Sequence, residues 1–253
     1  EEVIPYQWEA LNDRIPGAEK SGCIRNFRIA AGQETGEFTG MVFQDSDIGK
    51  WLEAVAYSLT THPDAALERT ADEVIELLEA AQREDGYLDT YFIVHELYCA
   101  GHLLEGAVAY WQATGKDRFL NVMRRYVDYI ATVFGRGEGQ MRGYPGHEEI
   151  ELALCKLYDV TGEKKYLDLA AYFIDERGRD PKYFLEELKT RGDASHWEGT
   201  DALPLQRHGG RGHAHRGRGP ARGLPPPLPQ HRGQAPLRHR RHRLDLHRRG
   251  LHL

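Results

Sequence analysis

The chain is poor in sulfur: its 253 residues include three cysteines and three methionines. Cys23, Cys99 and Cys155 lie far apart and form no Cys-x-x-Cys pair. That spacing argues against a disulfide framework, and it predicts reduced thiols in a cytoplasmic setting. No apolar run reaches the roughly 18 residues of a membrane span, so no membrane role is expected. Glu1-Glu2-Val3-Ile4-Pro5 lacks a basic stretch followed by an apolar core, so no signal peptide is predicted. A phosphate-binding glycine loop and a Ser-His-Asp order are also missing, which sets aside the commonest nucleotide and acyl-transfer chemistries.

One further scarcity is local. Residues 207–253 hold no Lys, Ile, Val, Phe, Trp or Tyr, but 12 Arg, 8 His and 6 Pro. Their charge is +11, which leaves 21 basic and 38 acidic residues in positions 1–206. Such a stretch cannot bury enough apolar surface to offset its ordering entropy, and 196–253 is predicted to be a disordered tail. Two origins fit this composition. An Arg-rich arm could contact nucleic-acid phosphates. The preferred reading is coding DNA translated in a wrong frame, so a nucleic-acid partner is not expected.

What is present is helical periodicity. Residues 1–40 read as an irregular lead-in with short extended pieces, because Pro5, Pro16 and several glycines interrupt every periodic run. From Asp45 onward the apolar residues recur at helical spacing. Trp51, Leu52, Val55, Ala56 and Leu59 mark a first helix, with Asp45, Ser46 or Asp47 as its N-cap. His62-Pro63-Asp64 breaks it and caps a second, which ends before Asp85-Gly86. A third helix opens at His95 and stops at Thr114-Gly115, and Asp117 caps a fourth. A glycine-rich link from Gly135 to Gly146 leads to a fifth helix starting near His147, then a sixth ending at Gly178. Pro181 would open a short seventh.

The helices pair into related hairpins. Trp111-Gln112-Ala113-Thr114-Gly115-Lys116 and Tyr158-Asp159-Val160-Thr161-Gly162-Glu163 match at a shift of 47 residues. The turn at Thr61 precedes the turn at Thr114 by 53 residues. A period of about 50 residues with one helical hairpin per repeat indicates an all-α repeat or toroid. Three hairpins could form an open array or half of a closed ring.

Candidate chemistry gathers at the starts of the third and fifth helices. His95, Cys99 and His102 stand at i, i+4 and i+7 and share a helix face, with Glu96 directed elsewhere. The metalloprotease pattern needs a second His at i+4, where Cys99 stands, so this stretch is read as inward-facing polar packing and not as a metal site. His147 follows Gly146 at a helix start, and either packing or a ligand contact fits it. Glu148, Glu149 and Glu151 read as first-turn acids favoured by the helix dipole. Asp45 and Asp47 are better explained as caps than as an acid–base pair.

Several ordered segments together resemble glycoside hydrolase family 127, the β-L-arabinofuranosidase family. They are Val3-Ile4-Pro5-Tyr6-Gln7-Trp8, Gly40-Met41-Val42-Phe43-Gln44-Asp45-Ser46-Asp47 and Asp85-Gly86-Tyr87-Leu88-Asp89-Thr90. His95-Glu96-Leu97-Tyr98, Gly143-Tyr144-Pro145-Gly146-His147-Glu148-Glu149-Ile150-Glu151 and Ile174-Asp175-Glu176-Arg177-Gly178 complete the set. The similarity covers about residues 1–195. It implies that this part is the N-terminal half of an (α/α)6 toroid, with 196–253 as the unmatched tail. It also implies a retaining exo-glycosidase acting on β-L-arabinofuranosides of plant-type arabino-oligosaccharides, with His95 and His147 binding the sugar. In the family a zinc-held cysteine is the proposed nucleophile and a glutamate the acid/base. Neither the zinc ligands nor those catalytic residues match a position here, so a truncated chain, inactive on its own, is expected.

Overall fold

The computed structural model describes residues 2–90 and 95–179. The predicted tail, the helix after Pro181 and the segment 91–94 lie outside the described residues. Eight helices and no strand occur among the described residues, apart from one bridge between Phe134 and Met141. The all-α expectation holds.

Residues 1–40 differ from the expectation. They contain α1 (Val3–Leu11) and α2 (Cys23–Ala30). Pro5 is tolerated because it falls in the first turn of α1, where backbone N–H groups lack intrahelical acceptors. Gly22 turns the chain into α2 with a φ of 70°. The Trp8 and Trp51 rings meet at 4.8 Å, and Trp51 Nε1 donates to Ile4 O at 3.1 Å, so α1 is fastened to α3.

The three hairpins are α3 (Asp45–Thr61) with α4 (Ala65–Ala81), α5 (Glu96–Thr114) with α6 (Arg118–Val133), and α7 (Ile150–Thr161) with α8 (Lys164–Arg177). The repeat extends to hydrogen bonding. Thr114 Oγ1 donates to Tyr110 O and accepts from Lys116 N, while Thr161 Oγ1 donates to Leu157 O and accepts from Glu163 N. Gly115 and Gly162 follow with φ of 73° and 70°, the left-handed backbone that closes a helix C-terminus without a Cβ penalty. The first hairpin uses a different device: Asp64 Oδ1 accepts from Ala66 N and Leu67 N, as expected of an N-cap. Asp117 departs from the expectation, since its backbone is already helical and its side chain makes no cap bond.

α3, α5 and α7 pack side by side as an inner row, with α5 in the middle. α5 is buried on nearly all sides, from Glu96 and Leu97 through Tyr110. The close approach depends on glycine. A Cβ on Gly106 would sit 2.6 Å from Gly49 O, and one on Gly49 would sit 2.7 Å from the His102 carbonyl. On the opposite side, a Cβ on Gly101 would meet Glu149 Cγ at 2.6 Å and Ile150 N at 2.9 Å. These contacts draw the start of α7 against α5. The last hairpin leaves Leu152 and Ile174 exposed.

Candidate functional site

The beginnings of α5 and α7 meet at one end of the inner row. His95 is the N-cap of α5 and has a φ of 71°, a left-handed conformation that costs energy for a residue with a side chain. Strain of this kind persists where the surroundings impose it. A buried clamp lies nearby in sequence: Thr90 N and Oγ1 both donate to the Asp45 carboxylate at 2.6 Å. Asp45 is therefore not a cap, contrary to expectation; the position before it is already helical and no side chain caps α3. Burial pushes the Asp45 carboxyl above its ordinary range, against the downward pull of its bonds to Thr90 and Asp89.

His95 and His147 come together as ring neighbours, with centroids 5.5 Å apart, although 52 positions separate them. Tyr98 lies 5.1 Å from His147 and meets His102 edge-on at 4.5 Å. Phe43 adds an edge contact to His95 at 6.1 Å. Lys50 of α3 donates to Tyr98 Oη at 3.2 Å and to Ser46 Oγ at 2.9 Å. The result is a wall of imidazole and phenol rings reachable from solvent, since His147 is exposed and His95 and Tyr98 are half-buried. Lys50 and Asp47 also line a cleft of about 390 Å³ between α1 and α3. Aromatic faces with a few directed polar groups suit a small ligand carrying both C–H surface and hydroxyls. His147 itself stands in the turn before α7, three residues earlier than the helix starts.

Behind this wall lies a second layer that the sequence reading missed. His102 Nδ1 stands 3.1 Å from Glu149 Oε1 and 3.9 Å from Glu105 Oε2, and Lys156 is bonded to Glu105. Glu149 is thus no ordinary first-turn acid. Burial, a hydrogen bond with Glu105 and the Glu105 charge push its carboxyl up to about 8. Burial and the nearby Lys50 lower His102 to about 4, against the opposing effect of Glu105. Both shifts work against charge on the two partners, which favours a polar over an ionic His102–Glu149 contact. Glu151 is also buried, with Arg177 at 3.7 Å. The available signal was spacing: Tyr98 and His102 follow His95 at i+3 and i+7, and Glu105 follows His102 at i+3.

His95, Cys99 and His102 do not form one site, despite their shared register. Cys99 is fully buried beneath the wall, and burial raises its thiol well above the ordinary value. The zinc implied by the resemblance would need thiolate donors. His102, Glu105 and Glu149 offer ligand atoms within 4.8 Å of one another. Lys156 already neutralises Glu105, and no thiol joins the group, while the Cys23 thiol donates to Gln44 O at 3.4 Å. This cluster does not fit a thiolate-held zinc.

Comparison with known proteins gives consistent relatives. The catalytic domain described as "Beta-L-arabinofuranosidase, GH127 catalytic domain" matches residues 1–224. The non-reducing end β-L-arabinofuranosidase of Bifidobacterium longum subsp. longum is 44% identical over 218 residues, covering 75% of this chain and 33% of the relative. A crystal structure of a GH127 β-L-arabinofuranosidase from Geobacillus stearothermophilus T6 superposes with a TM-score of 0.71 at 60% identity, over 83% of this chain and 34% of that one. A second GH127 β-arabinofuranosidase structure gives a TM-score of 0.63 at 37% identity, over 70% and 30%. The chain spans about a third of the length of these relatives.

Proposed function

Since the chain belongs to glycoside hydrolase family 127, we propose that its ring wall binds the L-arabinofuranose unit of β-L-arabinofuranosides. His95 and His147 are the sugar-binding residues, with Tyr98 between them. The observation that carries this reading is the meeting of the two histidines at 5.5 Å from separate hairpins. The left-handed backbone of His95 supports it, because strain is retained where a side chain must be presented in one direction. The Bifidobacterium relative is a non-reducing end β-L-arabinofuranosidase, which supplies the substrate class.

Residues 1–195 supply, in this reading, the first three hairpins of an (α/α)6 toroid. The described residues then supply sugar binding to a glycoside hydrolase of the family. Glu105 and Glu149 cannot serve as a retaining carboxylate pair. They are hydrogen-bonded to each other, whereas such a pair flanks the sugar at about 5–5.5 Å. The three free cysteines support a cytoplasmic location. The full chain is expected to bind L-arabinose weakly, and His95→Ala and His147→Ala should each weaken binding about 5- to 10-fold, the worth of one hydrogen bond. Unchanged binding in both variants would sink the site assignment. Robust turnover of an aryl β-L-arabinofuranoside with added zinc, abolished by His147→Ala, would replace binding with catalysis.

A further inference from the structure

We propose that Glu149 is a positioning residue: it fixes the ring of His102 and, through Tyr98, the orientation of His147. This rests on the reading that His147 contacts the sugar. The contacts run in series. Glu149 Oε1 lies 3.1 Å from His102 Nδ1, His102 packs edge-on to Tyr98 at 4.5 Å, and Tyr98 packs against His147 at 5.1 Å. Glu149 and His147 also share the turn into α7, so the same backbone segment holds both ends of the series.

Glu149 is well placed for this role. Oε1 is buried with no fully formed hydrogen bond among the described residues, and His102 Nδ1 lies within reach of it at 3.1 Å. Gly101 leaves room for the Glu149 stem against α5, where a Cβ would lie 2.6 Å from Cγ. The charged and titratable groups facing Glu149 are Glu105 and His102 on α5, Lys156 on α7 and Glu53 on α3. Those facing His102 also include Lys50 on α3 and His147. Beside Glu105, which Lys156 holds, the Glu149 carboxyl is pushed up to about 8, chiefly by burial. Loss of its proton places two carboxylates side by side next to His102 and turns the neutral contact into one that favours the imidazolium.

The test uses the full chain with isotope-labelled histidine and follows the ring resonances by NMR from pH 5 to 9.5. Wild type should show His102 neutral throughout the acidic range, with a step near pH 8 felt at both His102 and His147. Glu149→Gln, which keeps the shape and the neutral state, should abolish the step near pH 8 at both rings. Glu149→Ala should shift both rings at every pH and weaken L-arabinose binding about 10-fold at pH 7. A step near pH 8 that persists in Glu149→Gln overturns the proposal, as do unshifted rings in folded Glu149→Ala. The ring resonances are read without sugar, so a wild type that fails to bind L-arabinose counts against the sugar site and leaves this result standing.

Discussion

At the scale of single residues, His95 separates presentation from packing. Its left-handed backbone is one that glycine adopts at little cost. His95→Gly should therefore melt no lower than wild type while losing L-arabinose binding; a marked drop in melting temperature would show that the ring is there to pack. Asp45 should behave in the opposite way. Asp45→Ala leaves the buried Thr90 N–H and hydroxyl without their acceptor, a loss of about 1–3 kcal/mol. Denaturant unfolding measures it, and an effect below about 0.5 kcal/mol would remove the clamp from the account.

The pH dependence also belongs to residues, and its sign follows from two opposite shifts. Glu149 is raised from 4.5 to about 8 in the folded chain, so its contribution to stability is present below pH 4.5 and lost as pH rises through about 8. His102 is lowered from 6.5 to about 4, so its contribution is present above pH 6.5 and lost as pH falls through about 4. Between pH 6.5 and 8 the Glu149 effect is no longer opposed by that of His102. Thermal melts should thus fall over that window in wild type and flatten in Glu149→Gln. A wild-type melting temperature that rises from pH 6.5 to 8 would contradict the assignment.

At the scale of elements, the hairpin turns were legible because their chemistry is local. Thr114-Gly115 and Thr161-Gly162 carry the same hydrogen bonds, and Asp64 caps the helix that immediately follows it. Asp64→Ala should cost about 1 kcal/mol. The spacing of α5 against its neighbours was not legible, since a glycine inside a helix reads only as a weak helix former. Its reason appears when Gly106 is seen against Gly49 and Gly101 against Glu149. Gly106→Ala should destabilise by about 1–3 kcal/mol through overpacking, where an exposed Gly→Ala in a helix would stabilise. The sign of that change in urea unfolding distinguishes the two. The opening 40 residues were misread for a related reason: Pro5 punctuates a helix interior but is harmless in a first turn.

At the scale of the whole molecule, the acidic segment and the basic one behave as separate compositions, with +11 carried by residues 207–253. A chain ending at residue 195 should keep the melting temperature of the full chain and its affinity for L-arabinose; loss of either would place the tail within the folded unit. The sequence by itself determined the hairpins, their period of about 50 residues, the family, and the two histidines that stand 52 positions apart. The hairpins and their period follow from local spacing and turn chemistry, whereas the family rests on motif resemblance and the choice of the two histidines on what that resemblance implies. Only the tertiary structure decided which acids are special. Glu149 meets His102 because Gly101 lets α7 close on α5, and Asp45 meets Thr90 because the chain returns over the start of α3. Burial of a carboxyl depends on neighbours from elsewhere in the chain, and no local pattern around Asp45 or Glu149 encodes them.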